Sequence, residues 1–281
     1  MAPQSKENEK SSSGSAERAF ILWHSYLTGD LSRLDAQTRM VRQLFKRLPS
    51  ALRCRVCNAP FQGLGGIVVS LFGFGAGRST FNPSLCDRCE ILVKHYQVGT
   101  EVQLTLLFAD VRGSTSLAEE IGASAFHHLI NRFYTASTEI LVHTHALIDK
   151  LIGDEVAGLY APGIAGPDHA RIAVDAARTL LKATGHADPD GPWIRVGVGV
   201  HTGTAYVGAV GSSQSVSDIT VLGDVANTTA RLASQAGVGE ILVSEETCHA
   251  AGLDLDNCEV RLLQLKGRSQ AVTARVIRVL E

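Results

Sequence analysis

The sequence predicts an α/β domain with a mixed sheet over residues 99–281, preceded by a small helical and cysteine-framed module, and three observations predict it. After Gly99, short apolar runs alternate with stretches of helical period, which is how strand–helix units read in sequence. Before Gly99 the segment from Cys54 to Cys89 is irregular, Gly-rich and framed by two Cys-x-x-Cys pairs. The 281 residues, 45% hydrophobic and 19% charged, suffice for one full-sized domain and a smaller module.

Each element follows in order. Residues 1–17 are Ser-, Lys- and Glu-rich with almost nothing apolar, so a disordered tail is expected. Residues 18–50 turn helical, with Phe20, Leu22 and Trp23, then Leu34, Met40, Val41, Leu44 and Phe45, broken into two helices at Thr28-Gly29-Asp30. Residues 51–98 form the cysteine module. Val102–Val111 reads as a buried strand, and Ser116 with Glu119 as the capping box of a helix carrying Leu117, Ile121, Phe126, Leu129, Ile130 and Phe133. Ala146–Ile152 and Val156–Tyr160 make a hairpin around Gly153-Asp154-Glu155. A helix over about 168–184, a strand pair Arg195–Val200 and Thr204–Val210, a helix Val225–Ser234 and strands near Glu240–Val243, Glu259–Leu265 and Thr273–Val279 complete the sheet.

A formal net charge of −2 supplies no global field for nucleic acid, so an anionic ligand needs a local constellation. No run reaches the roughly 18–20 apolar residues of a membrane span, and a secretory leader pattern is missing, which makes the cytoplasm the expected compartment. In a reducing compartment Cys54, Cys57, Cys86 and Cys89 favour a tetrahedral structural Zn²⁺ over disulfides, with an iron–sulfur cluster as the alternative. The apolar spacer between the pairs could contact the following domain, a second chain or a membrane surface. Cys248 and Cys258 lack such a pattern and read as small core residues.

Three segments carry chemistry. In Leu106-Leu107-Phe108-Ala109-Asp110-Val111-Arg112-Gly113-Ser114-Thr115 an apolar strand delivers one carboxylate and then a small-residue turn into a helix. Asp110 could hold a divalent cation there, while the amides of Gly113, Ser114 and Thr115 cradle phosphate oxygens. In Lys150-Leu151-Ile152-Gly153-Asp154-Glu155 a hairpin turn could bring Asp154 beside Asp110. In Thr220-Val221-Leu222-Gly223-Asp224 and the helix after it, Asn227 and Arg231 stand at i and i+4, an amide and a guanidinium on one face. Taken singly, each has a plain structural reading as a cap, a turn or a solvated helix face.

Together, FADVRGST, KLIGDE and TVLGDVANTTARL, with VGVHTG at Val198–Gly203, resemble the class III adenylyl and guanylyl cyclases from about Glu101 to the end. The resemblance implies a ferredoxin-like, mainly antiparallel catalytic domain that works as a head-to-tail homodimer and converts ATP to 3′,5′-cyclic AMP and pyrophosphate. It also implies that Asp110, Asp154 and the Val111 carbonyl hold two Mg²⁺ or Mn²⁺ ions. The partner chain would supply Lys150 and Thr220 to the purine, Asn227 to the ribose and Arg231 to the α-phosphate. Many relatives carry Asp where this chain has Thr220; the Thr version resembles the subgroup that includes bicarbonate-responsive soluble cyclases. A phosphate-binding basic residue of some relatives corresponds to Lys266 or Arg268. Two other readings share the motifs: a catalytically silent cyclase-like domain that senses nucleotide or dimerises, and a guanylate cyclase. A zinc-ribbon nucleic-acid binder is weakened by the lack of a dense basic stripe.

Overall fold

The computed structural model describes residues 4–50, 52–71, 77–80, 82–211, 217–254, 257–264 and 271–279, with the side chains of 4–13, 150, 152 and 217 left aside. The chain runs α1 (Gln4–Thr28), α2 (Ala36–Arg47), α3 (Gly63–Val69), α4 (Asp87–Tyr96), β1 (Gly99–Val111), α5 (Ser114–Ile121), α6 (Ala123–His143), β2 (Leu147–Ile152) and β3 (Glu155–Tyr160). It continues through α7 (Pro162–Ala165), α8 (His169–Ala183), β4 (Val196–Gly211), β5 (Ser217–Leu222), α9 (Asp224–Gln235), β6 (Glu240–Ser244), α10 (Glu245–Ala251), β7 (Val260–Leu263) and β8 (Val272–Arg278). Two compact units result: the chain up to Val102 with Tyr206–Val221, and Gln103–Ala205 with the chain from Leu222 on.

In the second unit the strands lie in the order β2-β3-β1-β4-β6-β8-β7. Pairings of β1 with β3, β2 with β3, β6 with β8 and β7 with β8 are antiparallel, and β4 with β6 is parallel. The centre of the sheet is apolar on both faces: Leu104, Leu106, Leu107, Val198 and Val200 are fully buried. Helices cover it. α6 buries Ile130, Phe133 and Leu141, and α8 buries Ala173, Val174, Ala177, Leu180 and Leu181. Burying each large side chain stabilises by about 1.5–3 kcal/mol.

One polar seam crosses this core. Thr105 Oγ1 meets His169 Nδ1 at 3.0 Å and Thr202 Oγ1 at 2.8 Å; Thr202 donates to Thr247 Oγ1 at 3.0 Å, and Ser244 Oγ joins Thr247 to His201 Nδ1. Every member has a partner, as buried hydroxyls and imidazoles require. Burial depresses the His169 pKa below its ordinary value, so the neutral ring is the favoured form.

Several expectations differ from the structure. Residues 4–28 form one helix, where a disordered tail through residue 17 is expected; the segment after Pro3 holds no proline, and buried Trp23, Tyr26 and Leu27 anchor its second half. The Gly-rich module contains α3 and α4 rather than only irregular chain. α5 starts at Ser114 behind Gly113, which takes φ +69°, so Ser116 lies inside the helix and is not its cap. The strand pair expected around His201–Gly203 is one strand, β4, because His201 and Thr202 are held in the buried seam instead of turning outward. The hairpin of β2 and β3 forms as expected. Leu265, Lys266 and Arg268 lie outside the described residues.

At the far edge, Arg261 grips the Glu240 carboxylate with two hydrogen bonds of 2.6 and 2.7 Å, and Arg278 adds one of 2.7 Å. Arg261 first, then the Gly237 amide and Arg278, lower the Glu240 pKa from its ordinary 4.5 to about 2. A depressed carboxylate contributes stability that is complete above its unfolded pKa and is lost as pH falls through the folded one. We therefore expect Glu240→Gln to lower the thermal midpoint at pH 7, and the difference from the unchanged protein to shrink between about pH 4.5 and pH 2, as followed by circular dichroism melts.

Candidate active site

Asp110 ends β1, a strand whose apolar run is dictated by burial on both faces. Its backbone stands opposite Glu155 of β3, and the Val111 amide donates to the Asp154 carbonyl at 3.2 Å. The backbones of Asp110 and Asp154 are therefore close together at the end of the β1–β3 ladder. The turn presenting Asp154 is itself fixed. Gly153 takes φ +63°, and the Tyr134 hydroxyl, from α6, donates to its carbonyl at 2.8 Å.

Arg112 stands between these acids. Its guanidinium pairs with the Asp110 carboxylate, and it donates to the Ser234 carbonyl at 2.6 Å, tying the site to the end of α9. The Arg112 amide donates to the Arg195 carbonyl at 2.8 Å. Burial lowers the Arg112 pKa from its ordinary value, with the charges of Asp154 and Glu155 pulling the other way. Neither Arg112 nor Tyr134 is singled out by the sequence motifs. Arg112 lies within FADVRGST, one residue from an expected metal ligand, and that adjacency is the signal that could have found it; Tyr134 carries no such signal.

Directly after Arg112, Gly113 reverses the chain and α5 begins, its first helical hydrogen bond running from the Leu117 amide to the Gly113 carbonyl. The amides of Ser114 and Thr115 are thus among those a helix start leaves without intrahelical partners. Beside them a cleft of about 560 Å³ lies between α5, α6 and the β2–β3 turn, lined by Thr115, Glu119, Phe126, Asn131, Tyr134 and Gly153.

Asn227 is exposed and Arg231 half-buried on α9, on the side away from buried Val225, Thr228, Thr229 and Leu232. α9 sits tight on the sheet at Gly199, where a Cβ would lie 2.7 Å from the Thr229 carbonyl oxygen. Lys150 pairs by its backbone with Ala157, just after a register shift that follows Ile148. Thr220, on β5, belongs to the first unit; it is 7% exposed and its hydroxyl has no hydrogen-bond partner among the described residues. In that same unit Cys54, Cys57, Cys86 and Cys89 converge, their sulfurs all within 4.8 Å of one another, a donor set able to hold a metal ion.

Residues 96–276 match the adenylate and guanylate cyclase catalytic domain family. An adenylate cyclase of Anabaena cylindrica is 27% identical over 187 residues, covering 61% of this chain and 36% of that protein. An uncharacterized protein of Mycobacterium bovis is 27% identical over 230 residues, covering 80% of this chain and 37% of its own length. The chain spans about a third of the length of the curated relatives it matches. Among solved structures, the guanylyl cyclase Cya2 superposes with a TM-score of 0.57 at 26% identity, over 63% of this chain and 92% of that one. The adenylyl cyclase CyaB from P. aeruginosa superposes with a TM-score of 0.56 at 29% identity, over 64% and 95%. With its mainly antiparallel mixed sheet, its paired acids at two strand ends and a family match across most of its length, the chain belongs to the adenylate and guanylate cyclase catalytic domain family.

Proposed function

We propose that this protein is an adenylate cyclase that converts ATP to 3′,5′-cyclic AMP and pyrophosphate at sites shared between two copies of the chain paired head to tail. The juxtaposition of Asp110 and Asp154 carries the reading: two carboxylates on adjacent strand ends suit hard divalent cations, which take oxygen ligands. With the Val111 carbonyl they would hold two Mg²⁺ or Mn²⁺ ions, which acidify the ribose 3′-hydroxyl and neutralise charge on the triphosphate and the leaving pyrophosphate.

The remaining work falls to the chain's own residues. The Gly113, Ser114 and Thr115 amides receive phosphate oxygens at the start of α5. From the partner copy, Arg231 donates to the α-phosphoryl oxygens as negative charge builds there, and Asn227 orients the ribose for in-line attack. Their exposed helix face suits a role completed by another chain. Lys150 and Thr220 read the adenine. The Thr220 hydroxyl, buried without a partner among the described residues, costs stability of about 1–3 kcal/mol until something bonds it, and a base edge would satisfy it. The same Thr favours the bicarbonate-responsive subgroup. Arg112 neutralises the acid pair before the cations enter. Cys54, Cys57, Cys86 and Cys89 hold a structural Zn²⁺.

The test is cyclic-nucleotide formation by the purified protein with ATP or GTP and Mg²⁺ or Mn²⁺. ATP should be preferred, and Asp110→Ala or Arg231→Ala should each reduce kcat at least a hundredfold, on the scale of a lost transition-state charge contact. Mixing the two variants should restore part of the activity, because one site of the mixed dimer is then whole. A dead mixture, or GTP turned over faster than ATP, would contradict the reading. Metal analysis of the purified protein should give about one zinc per chain, and Cys54→Ser should lose it. Iron with a visible absorption band would instead assign a cluster.

A further inference from the structure

The four cysteines and the Thr220 strand lie in the same compact unit, built from the chain up to Val102 and from Tyr206–Val221. Cys86 caps α4, its sulfur accepting from the Cys89 amide at 3.4 Å, while the Cys54 sulfur accepts from the Cys86 amide at 3.3 Å. Amides aimed at sulfur stabilise thiolates, the form a metal requires. On α1, Tyr26 is 2% exposed, its hydroxyl has no hydrogen-bond partner among the described residues, and it lies within electrostatic range of Cys54 and Cys89. A buried hydroxyl beside sulfurs is suited to donate to metal-bound thiolate, an outer contact of the kind that orients ligands.

From this centre two arms reach β4 and β5, consecutive strands that pair with each other and so make a hairpin. The first is α1: the Tyr26 ring lies 5.3 Å from the Trp23 ring, and the buried Trp23 indole donates to the Val207 carbonyl of β4 at 3.0 Å. The second is α4: Lys94 bridges Glu90 at 2.7 Å and Asp218 of β5 at 3.5 Å, and Gln97 donates to the Gly211 carbonyl at 3.1 Å. Where α4 ends, the Ala209 amide donates to the Val98 carbonyl at 3.1 Å. The fit there is close enough that a Cβ at Gly208 would lie 2.6 Å from that same oxygen. Asp218 is two residues from Thr220 on the same strand.

We propose that the four-cysteine metal centre is the fixed end of a brace that positions the β4–β5 hairpin, so that metal loading sets where Thr220 stands. The cation is a thiophilic, tetrahedral divalent ion. Trp23 and Lys94 are positioning residues, acting on Thr220 only through the strands they hold. The consequence for catalysis rests on the reading that Thr220 faces the base; the mechanical coupling does not.

Amide hydrogen exchange on the full chain tests the coupling without any nucleotide. Stripping the metal by chelation, or substituting Cys57→Ser, should speed exchange at the described hairpin residues 206–211 and 217–221 by about tenfold, while β3 and β6 keep their protection. Adding zinc chloride back to the chelated protein should restore it. Trp23→Phe, which removes the indole donor but retains a ring, should speed exchange around Val207 with the metal still bound. In the cyclase assay the same changes should raise KM for ATP severalfold and alter kcat less. Unchanged hairpin exchange in metal-free protein would overturn the proposal, and so would loss of protection spread equally over β3 and β6, which would make the centre a general stability element. A chain without cyclase activity whose hairpin still responds to zinc would retain the brace and reject the adenylate cyclase reading.

Discussion

Two carboxylates at the ends of neighbouring strands cannot share half-buried space unless positive charge lies among them. β1 is held to β3 by its buried backbone ladder, which keeps the backbones of Asp110 and Asp154 close together. Arg112 supplies the compensating charge and is itself fixed by the Ser234 carbonyl. The Gly113 reversal and the start of α5 follow within a few residues of this strand end, and Arg112 ties it to Ser234 of α9.

The rigidity of that arrangement comes from close packing rather than from the site. Gly199 admits α9 to the sheet, Tyr134 pins the turn that carries Asp154, and the hydroxyl–imidazole seam from Thr105 to His201 ties β1, β4, β6, α8 and α10 together through bonds that leave no member unpaired. A polar seam in an apolar core has a single satisfying arrangement, because each misplacement leaves a buried group without a partner. The strand that could have turned at His201 is held straight for that reason.

The first unit obeys a different logic. α2 and α3 leave Met40, Leu44, Leu64 and Ile67 exposed, as is Leu71 just beyond α3, so the module has little apolar core of its own, and segments of this size commonly depend on a metal. Convergent sulfurs provide what burial does not. α1, whose second half supplies Trp23, Tyr26 and Leu27, brings the few large buried side chains to it.

Sequence alone determined the alternation of strands and helices after Gly99 and the β2–β3 hairpin, because apolar period and Gly-Asp turns are local properties of the chain. It also determined that four cysteines in two knuckles would converge, since their spacing leaves few other uses for them. What it left undecided lay in contacts remote along the chain. Arg112 is one basic residue among 26 Lys and Arg until the fold brings Ser234 to it, and the Thr202 hydroxyl reads as a turn residue until Thr105 and Thr247 surround it. The attachment of the cysteine module to Val207 and Asp218 spans more than a hundred residues. Local pattern fixes which face of an element is apolar; only tertiary structure decides which distant polar group satisfies another, because that choice is made by burial and not by sequence neighbours.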